Sequence, residues 1–262
     1  METGQINWID THCHLYVREF DHDREEMINR AIKAGVNQMY LPNIDADTVA
    51  DMWDLVRKFP DNCHPMLGLH PTSVKENYSD VLDQMEADLT NRKYAGIGET
   101  GTDLYWDTTY RKEQEAAFHR QIEWAIQYDL PVIIHSRSSL ELSIDIVREH
   151  QQGRLRGIFH CFSGEPSHVD EIQELGFKVG IGGVVTFKKS GLDTLLPVIP
   201  RELIVLETDS PFLAPVPYRG KRNESAWIPL IAAKVAEVLQ ISLNELSDLT
   251  RQNAEEVFRK PS

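Results

Sequence analysis

Eight short apolar segments recur along this chain, and stretches with helical spacing lie between them. The segments are nearly continuously apolar rather than alternating with polar residues. This is typical of strands in a parallel sheet that is buried on both faces. The predicted strands are Ile6–Asp10, Gln38–Pro42, His64–Leu69, Ala95–Gly98, Val132–Ile134, Gly157–Phe159, Phe177–Ile181 and Leu203–Leu206.

The intervening stretches are rich in residues that favour helices, and their apolar residues recur at helical spacing. The predicted helices include Asp23–Ala34, Asp47–Lys58, Tyr110–Tyr128, Leu140–His150 and Pro166–Leu175, with two more at Ile228–Leu239 and Leu243–Phe258. A strand followed by a helix, repeated eight times, predicts an α/β fold of the TIM (β/α)8-type barrel. The seventh unit is the weakest, because Lys189–Pro197 is short and contains Gly191.

The length and composition favour one soluble domain over residues 1–262, because no linker, low-complexity tract or internal repeat divides the chain. No apolar run approaches the ~20 residues that cross a bilayer, and the N-terminus lacks a signal-peptide pattern. We therefore expect a cytoplasmic protein without membrane contact, and a monomer. The scattered Cys13, Cys63 and Cys161 form no C-x-x-C pair and are predicted to be reduced thiols.

The charge balance restricts how this chain can hold a polyanion. It carries 27 basic and 41 acidic residues, for a net charge of −14. This excludes a broad basic surface that grips nucleic acid independently of sequence. A polyanionic substrate would need bound cations or a confined basic loop.

Residues that can ligate metal or transfer protons follow six of the predicted strands. His12 and His14 lie two apart after the first strand, so both side chains point to one face and can converge on one ion. The others are His70 after the third strand, Glu99 and Asp103 after the fourth, His135 after the fifth, His160 after the sixth, and Glu207 and Asp209 after the eighth. Active sites of these barrels lie at the carboxyl ends of the strands. A single histidine there is more often structural, but the joint pattern predicts a metal centre.

The number of candidate ligands exceeds what one tetrahedral ion needs. We therefore expect two divalent cations, with Glu99 on a central strand as the bridge between them. Two such cations lower the pKa of a water molecule and stabilise charge on the attacking and leaving oxygens. This arrangement suits the hydrolysis of a phosphate ester.

A basic loop follows the last strand and runs Tyr218-Arg219-Gly220-Lys221-Arg222-Asn223-Glu224. Three basic residues in four positions make it the only concentrated positive patch near the predicted site. A solvated loop with stray charges is the alternative, but the loop's position beside Asp209 favours phosphate binding. The predicted phosphate-binding residues are Tyr218, Arg219, Lys221 and Arg222.

The ordered motifs D-x-H-x-H-L, G-x-H-P, G-E-x-G-x-D, H-S-R, H-C-F-S-G, E-T-D-S-P and P-Y-R-G-K-R-N span the chain. This set resembles the TatD family of metal-dependent deoxyribonucleases. The resemblance implies a TIM barrel of the amidohydrolase superfamily that hydrolyses DNA with divalent cations. It also implies 3′-to-5′ exonuclease action, often on single-stranded DNA.

The resemblance also implies roles for individual residues. One ion would be held by His12, His14, Glu99 and Asp209, and the other by Glu99, His135 and His160. Asp209 would orient or deprotonate the attacking water. His70, Arg219 and Lys221 would face the substrate phosphate, while Asp103 and Glu207 would fix ligand imidazoles or strand ends.

The chain departs from the family pattern at two places, Glu224-Ser225 in the Asn-x-Pro-Ala element and Thr102 in G-E-x-G-L-D. Neither is a ligand position, so they bear on the substrate rather than on metal binding. The imidazole-rich ligand set suits bound zinc or nickel, whereas the family uses magnesium. We therefore expect magnesium or manganese to support turnover, with zinc or nickel possible as the bound ion.

Three alternatives remain open at this point. The chain could act on a small phosphoester, because such a molecule presents the same reacting group as DNA. It could be another hydrolase of the superfamily, acting on a lactone or an amide, although many of those use a carbamylated lysine where this chain has Glu99. A non-catalytic metal-binding protein is the third alternative, but a degenerate site should have lost ligands.

Overall fold

A computed structural model describes residues 6–259, and eight parallel strands form its centre. Each strand pairs with the next along the chain, in the order β1 to β8. The strands are β1 (Trp8–Asp10), β2 (Val36–Pro42), β3 (Cys63–Leu67), β4 (Gly96–Asp103), β5 (Val132–Arg137), β6 (Gly157–Phe159), β7 (Lys178–Ile181) and β8 (Ile204–Leu206). The predicted TIM barrel is confirmed. The predicted domain limits, residues 1 and 262, lie outside the described residues.

The barrel closes between β8 and β1 through backbone hydrogen bonds that lie just beyond the ends of both strands. The amide of Thr11 donates to the Leu206 carbonyl at 3.0 Å. The amide of Asp209 donates to the carbonyl of His12 at 2.9 Å. The amide of His14 donates to the Ser210 carbonyl at 2.8 Å. The closing seam is therefore built from the segments that carry His12, His14 and Asp209.

Nine α-helices of the described residues cover the barrel, with several short 3-10 turns between them. They are α1 (Arg24–Lys33), α2 (Val49–Lys58), α3 (Tyr78–Asn91), α4 (Arg111–Tyr128), α5 (Leu140–His150), α6 (Pro166–Glu174), α7 (Leu192–Leu195), α8 (Ile228–Leu239) and α9 (Leu243–Val257). The predicted helices agree with these to within about two residues at each end. The seventh unit is indeed short, since α7 has four residues.

Helix α3 is absent from the predicted set. Its buried residues Leu82, Met85 and Leu89 recur at helical spacing. That pattern is the signal that would have identified it.

Strand β4 extends five residues past its predicted end at Gly98, to Asp103, and all of it is buried. Polar residues in this extension interrupt the apolar pattern that predicts a strand. Thr102 compensates for its burial because its hydroxyl donates to Ser139 Oγ at 2.8 Å. The polar stretch is also the part of the strand that carries Glu99.

The interior of the barrel is packed at the amino ends of the strands. Inward residues of several strands, among them Ile9, Met66 and Ile133, contact Ala254 and Val257 of α9. Helix α9 therefore closes this end of the barrel with apolar side chains. The opposite, carboxyl end remains open, and there the polar strand ends meet.

No single helix within residues 6–259 has the length and apolar character to cross a membrane. Only the segments Ser225–Leu239 and Leu243–Val257 taken together meet that criterion, and they are bent by 107° relative to each other. Both bury apolar residues against the barrel, for example Ile231 of α8 and Leu246 of α9.

Candidate metal centre

Glu99, on β4, lies at the centre of the polar cluster and is only 2% exposed. Its Oε2 atom is 3.2 Å from Nε2 of His12 and 3.3 Å from Nε2 of His14. The two imidazole nitrogens are 3.2 Å from each other. Asp209 Oδ1 completes this group, at 3.7 Å from His12 Nε2 and 3.5 Å from His14 Nε2. One oxygen of Glu99 thus faces the ligands from the first and last strand ends.

The other oxygen of Glu99, Oε1, faces a different set of histidines. Nδ1 of His135 and Nε2 of His160 each lie 2.8 Å from it. These two nitrogens are 3.2 Å apart. His70 Nε2 is also near, at 3.3 Å from Oε1. The two oxygens of one buried carboxylate therefore divide the histidines into two groups.

The outward nitrogens of two ligand candidates are held by hydrogen bonds. His14 Nδ1 is 3.1 Å from the carbonyl oxygen of Pro42, to which it donates. His135 Nε2 is 2.9 Å from Asp103 Oδ2. A proton fixed on the outward nitrogen leaves a lone pair on the inward nitrogen, which is the tautomer that binds metal.

His160 is held by packing more than by its outward nitrogen. Its ring stacks on that of His12, with centroids 3.9 Å apart and planes at 12°. Its Nδ1 is 3.6 Å from Oε1 of buried Glu207, beyond hydrogen-bond distance. That same oxygen accepts the amide hydrogen of Cys161 at 2.6 Å. Glu207, which the sequence predicts as a supporting residue, therefore fixes the backbone next to His160.

His70 carries its proton on the nitrogen that faces the centre, unlike His14 and His135, whose protons are held on the outward nitrogen. The backbone amide of Thr72 donates to its Nδ1 at 3.1 Å. A neutral imidazole that accepts at Nδ1 carries its proton on Nε2, the atom that faces Glu99. His70 is therefore arranged as a hydrogen-bond donor to the centre, whereas the other four histidines can present lone pairs.

The carboxylates at the centre are held in the charged state. Burial alone would raise the pKa of Glu99, but the electrostatic influence of the surrounding imidazoles, that of His160 first, lowers it well below its usual range. Burial also opposes ionisation of Asp209, yet a hydrogen bond to His14 and neighbouring imidazoles lower its pKa as well. Both groups are anionic at neutral pH and are therefore candidate ligands for a cation.

The pKa values of three histidines of the centre, His14, His135 and His160, are raised. Burial alone would lower the pKa of His14, but hydrogen bonds to Asp209 and Glu99 raise it to about 9. Burial is likewise outweighed at His160, where the charge of Glu99 raises the pKa well above its usual value. The pKa of His135 is also raised, by hydrogen bonds to carboxylates that outweigh its burial. In the metal-free protein, protons on these rings balance the buried carboxylates.

The donor atoms of the cluster fit divalent metal ions. Residues 6–259 contain three groups of donors, and within each group the donor atoms lie within 4.8 Å of one another. They are His12, His14 and Asp209; His12, Glu99 and His160; and His70, Glu99 and His135. Imidazole nitrogen combined with carboxylate oxygen is the donor set of zinc, manganese and nickel sites. The structure therefore brings together all six residues that the sequence predicts as ligands.

The basic loop lies beside this centre and is anchored by a buried asparagine. Asn223 Nδ2 donates to the carbonyl oxygens of Thr208 and Phe212, each at 2.7 Å. Thr208 directly precedes the candidate ligand Asp209. Asn223 is not among the predicted site residues, although its place at the end of the basic run is the signal for a supporting role.

Three of the four phosphate-binding residues predicted in this loop have no ionic partner among the described residues. Tyr218 stacks on Trp227, with ring centroids 4.3 Å apart. The guanidinium of Arg219 lies 4.4 Å from the ring centroid of Phe187. Among residues 6–259, neither Arg219 nor Lys221 forms an ion pair, so their charges are available to an anion.

Arg222 was predicted to bind phosphate, but the structure gives its guanidinium another partner. Its two terminal nitrogens contact the two carboxylate oxygens of Asp23, at 2.7 and 2.8 Å. Arg30 joins Asp23 at 2.9 Å and Glu224 at 2.6 Å. A bidentate pair uses the fork that would hold a phosphate. Arg222 therefore fastens the loop to α1.

Asp10 also supports the centre, although it is not among the predicted site residues. Its Oδ1 accepts the amide hydrogens of Thr208 at 2.9 Å and of His12 at 3.3 Å. Its Oδ2 accepts the hydroxyl hydrogens of Thr208 at 2.6 Å and of Ser225 at 2.7 Å. Complete burial raises the pKa of Asp10 to about 7 despite these bonds. Asp10 thus holds the two ligand-bearing strand ends together, and its place in D-x-H-x-H is the signal that identifies it.

A parallel barrel with a buried carboxylate among five histidines at the carboxyl ends of its strands defines the class of metal-dependent barrel hydrolases. The sequence model of one family of this class, described as TatD related DNase, matches residues 9–259. The chain therefore belongs to the TatD related DNase family, as its motifs predict. Membership makes it a metal-dependent hydrolase that acts on ester bonds.

Individual relatives resemble the chain over nearly its whole length. YabD of Bacillus subtilis strain 168, named a metal-dependent hydrolase, is 33% identical over 258 residues, which cover 95% of this chain and 98% of the relative. A Pectobacterium parmentieri protein named 3′-5′ ssDNA/RNA exonuclease TatD is 30% identical, with coverage of 95% and 98%. The crystal structure of the TatD homologue YjjV from Escherichia coli K12 superposes with a TM-score of 0.91 at 28% identity, covering 98% of this chain and 99% of that one.

Proposed function

We propose that this protein is a deoxyribonuclease that removes nucleotides from the 3′ end of a DNA strand, using two divalent metal ions. The observation that carries the proposal is that the two carboxylate oxygens of Glu99 face different histidines. Oε2 faces His12 and His14, while Oε1 faces His135 and His160. A carboxylate that presents its two oxygens to separate donor groups is suited to bridge two cations. The relative named 3′-5′ ssDNA/RNA exonuclease supports the choice of substrate.

Each ion would have its own residues. By their distances from the two oxygens of Glu99 and from Asp209, His12, His14, Asp209 and Oε2 of Glu99 would hold one, and His135, His160 and Oε1 of Glu99 would hold the other. When bound, such cations supply Lewis acidity, which stabilises charge on phosphoryl oxygens and lowers the pKa of water. Magnesium or manganese would support turnover, while the imidazole-rich set also accepts zinc or nickel.

The residues of the chain supply the remaining chemistry. Asp209 is anionic and its side chain is 14% exposed, so it can accept a proton from the attacking water. The water oxygen bonds to phosphorus as the bond between phosphorus and the ester oxygen of the adjoining nucleotide breaks, and that oxygen takes up the proton that Asp209 accepted. His70 donates its Nε2–H toward a phosphoryl oxygen, because Thr72 fixes that tautomer. Arg219 and Lys221 attract the negatively charged backbone.

The test uses metal-stripped protein and a single-stranded oligonucleotide labelled at its 5′ end. We expect added magnesium or manganese to produce a ladder shortened from the 3′ end, and Asp209→Asn to abolish it. Asp170→Asn is the matched control, because Asp170 is an exposed carboxylate of α6 remote from the centre. Undiminished cleavage by Asp209→Asn would point to a contaminating nuclease.

A parallel assay with small phosphoesters and lactones separates the nuclease from its alternatives. An intact oligonucleotide together with hydrolysis of a small phosphoester would reject the DNA substrate while leaving the hydrolytic centre in place. Hydrolysis of a lactone alone would reject phosphoester chemistry altogether.

A further inference from the structure

Two neighbouring aromatic side chains stand exposed just beyond the end of β4. Tyr105 is 57% and Trp106 is 69% exposed, and their rings meet edge to face with centroids 4.9 Å apart. Single exposed apolar residues are ordinary on protein surfaces, whereas a contiguous group beside a cleft marks a binding site. This pair lies two and three residues after Asp103, at the rim of the metal centre.

Arg137, on the neighbouring strand β5, joins the two rings. Its guanidinium carbon lies 3.9 Å from the centroid of Tyr105 and 5.0 Å from that of Trp106, within the range of cation–π contacts. Arg137 forms no ion pair within the described part of the chain, so its charge is not neutralised by a carboxylate. We refer to Tyr105, Trp106 and Arg137 as the aromatic platform.

The aromatic platform is attached rigidly to the metal centre. Asp103 Oδ1 accepts the amide hydrogens of Tyr105 at 3.0 Å and Trp106 at 3.4 Å, while its Oδ2 faces His135 Nε2 at 2.9 Å. Arg137 follows His135 by two residues on the same strand. The platform is thus tied to the centre twice, because Arg137 shares β5 with His135 and the two aromatic residues follow β4, which carries Glu99.

The cleft shape also connects the platform to the centre. A cleft of about 650 Å³ is lined by Tyr105 and Arg137 at the rim and by His160 at its inner part. A second cavity of about 320 Å³ is lined by Trp106 and Lys75. Both volumes fall in the range of about 300–1,000 Å³ that is usual for ligand pockets. The platform therefore stands between two spaces that can receive parts of one substrate.

We propose that the aromatic platform stacks an unpaired nucleobase of the strand whose phosphodiester lies at the metal centre. This inference rests on the proposed nuclease function and adds its base-binding subsite. Aromatic rings stack on any base because every base has a π face, and arginine adds a cation–π contact together with attraction to the neighbouring phosphate. In a duplex the base faces are covered by their neighbours. The platform thus selects single strands and frayed ends without selecting sequence.

The test compares an intact oligonucleotide with one whose two 3′-terminal nucleotides are abasic. We expect Trp106→Ala to lower kcat/KM about tenfold on the intact strand and less than about twofold on the abasic strand, because a base–aromatic contact is lost only where a base exists. Trp106→Phe should restore most of the activity. Val198→Ala is the control, since Val198 is as exposed as Tyr105, at 57%, but precedes the amino end of β8.

The outcomes separate this inference from the proposed function. If the unaltered protein cuts both strands and Trp106→Ala affects them equally, the platform is rejected and the nuclease stands. If the unaltered protein cuts neither strand, the nuclease is rejected and the base-binding subsite falls with it.

Discussion

Asp103 and His135 are joined at 2.9 Å, from carboxylate Oδ2 to imidazole Nε2, and this contact turns Nδ1 of the histidine toward Glu99. Asp103 therefore orients the candidate ligand His135 without itself facing the metal site. Because its other oxygen accepts the amide hydrogens of Tyr105 and Trp106, the same carboxylate also fixes the loop that follows β4.

Asp103→Asn should weaken metal binding by about 10–100-fold, the usual effect of removing a partner of a ligating histidine. An amide has one oxygen and cannot accept from both the loop amides and His135. Calorimetric titration of the metal-stripped protein measures this effect. Asp107→Asn in the same loop is the control, and equal affinities for the two variants would contradict the orienting role of Asp103.

Metal binding should become tighter as pH rises toward about 9. Only a neutral imidazole ligates metal, and hydrogen bonds to carboxylates, outweighing burial, raise the pKa of metal-free His14 to about 9. Below that pH an ion must displace protons from the imidazoles when it binds. For each displaced proton, the affinity for metal should fall by up to about tenfold for every pH unit. Calorimetry in two buffers with different ionisation enthalpies counts the released protons. Zero release at pH 7 would show that His14 is already neutral.

Gly180→Ala should destabilise the fold by about 1–3 kcal/mol, which is typical of overpacking a buried site. A Cβ atom at this position would lie 2.0 Å from Oε2 of Glu207 and would displace that carboxylate from the amide of Cys161. Gly182→Ala is the matched control, because its added Cβ would come no closer than 3.6 Å to Glu207. Urea unfolding of both variants measures the difference, and equal midpoints would contradict the predicted clash.

Arg219 and Lys221 should differ from Arg222 in their effect on substrate binding. Arg219→Ala and Lys221→Ala should raise the KM for an oligonucleotide. Each lost phosphate contact should also reduce, by about 0.7, the slope of the logarithm of the binding constant against the logarithm of the salt concentration. Arg222→Ala should leave that slope unchanged and lower stability by up to about 1 kcal/mol, because its fork is paired with partly exposed Asp23. If Arg222→Ala also reduced the slope of this salt dependence, Arg222 would be a phosphate-binding residue after all.

The sequence predicts this barrel well because each buried parallel strand is a short apolar run that stands out from its surroundings. It also predicts which side chains meet at the candidate centre, since the strand-end rule places His12, Glu99 and His160 at the same end of the barrel without any knowledge of distances. The true length of β4 escaped prediction because its last residues, from Glu99 to Asp103, are polar. Residues that form the site are the ones that break the local pattern.

Contacts between distant parts of the chain could not be predicted from local spacing. Arg222 pairs with Asp23 across 199 residues, and Asp10 reaches Ser225 across 215 residues. A basic run carries no information about which of its members already has a partner. Only the folded chain separates the available charge of Arg219 from the neutralised charge of Arg222.

Because the metal centre lies at the seam between β8 and β1, metal binding should also affect the closure of the barrel. His12 and His14 come from the first strand end and Asp209 from the last, so this half of the centre does not exist until the final strand has docked. Ion binding and closure of the barrel between β8 and β1 are therefore thermodynamically linked, and each should favour the other. The centre that serves hydrolysis would also act as the clasp that keeps the two ends of the barrel together.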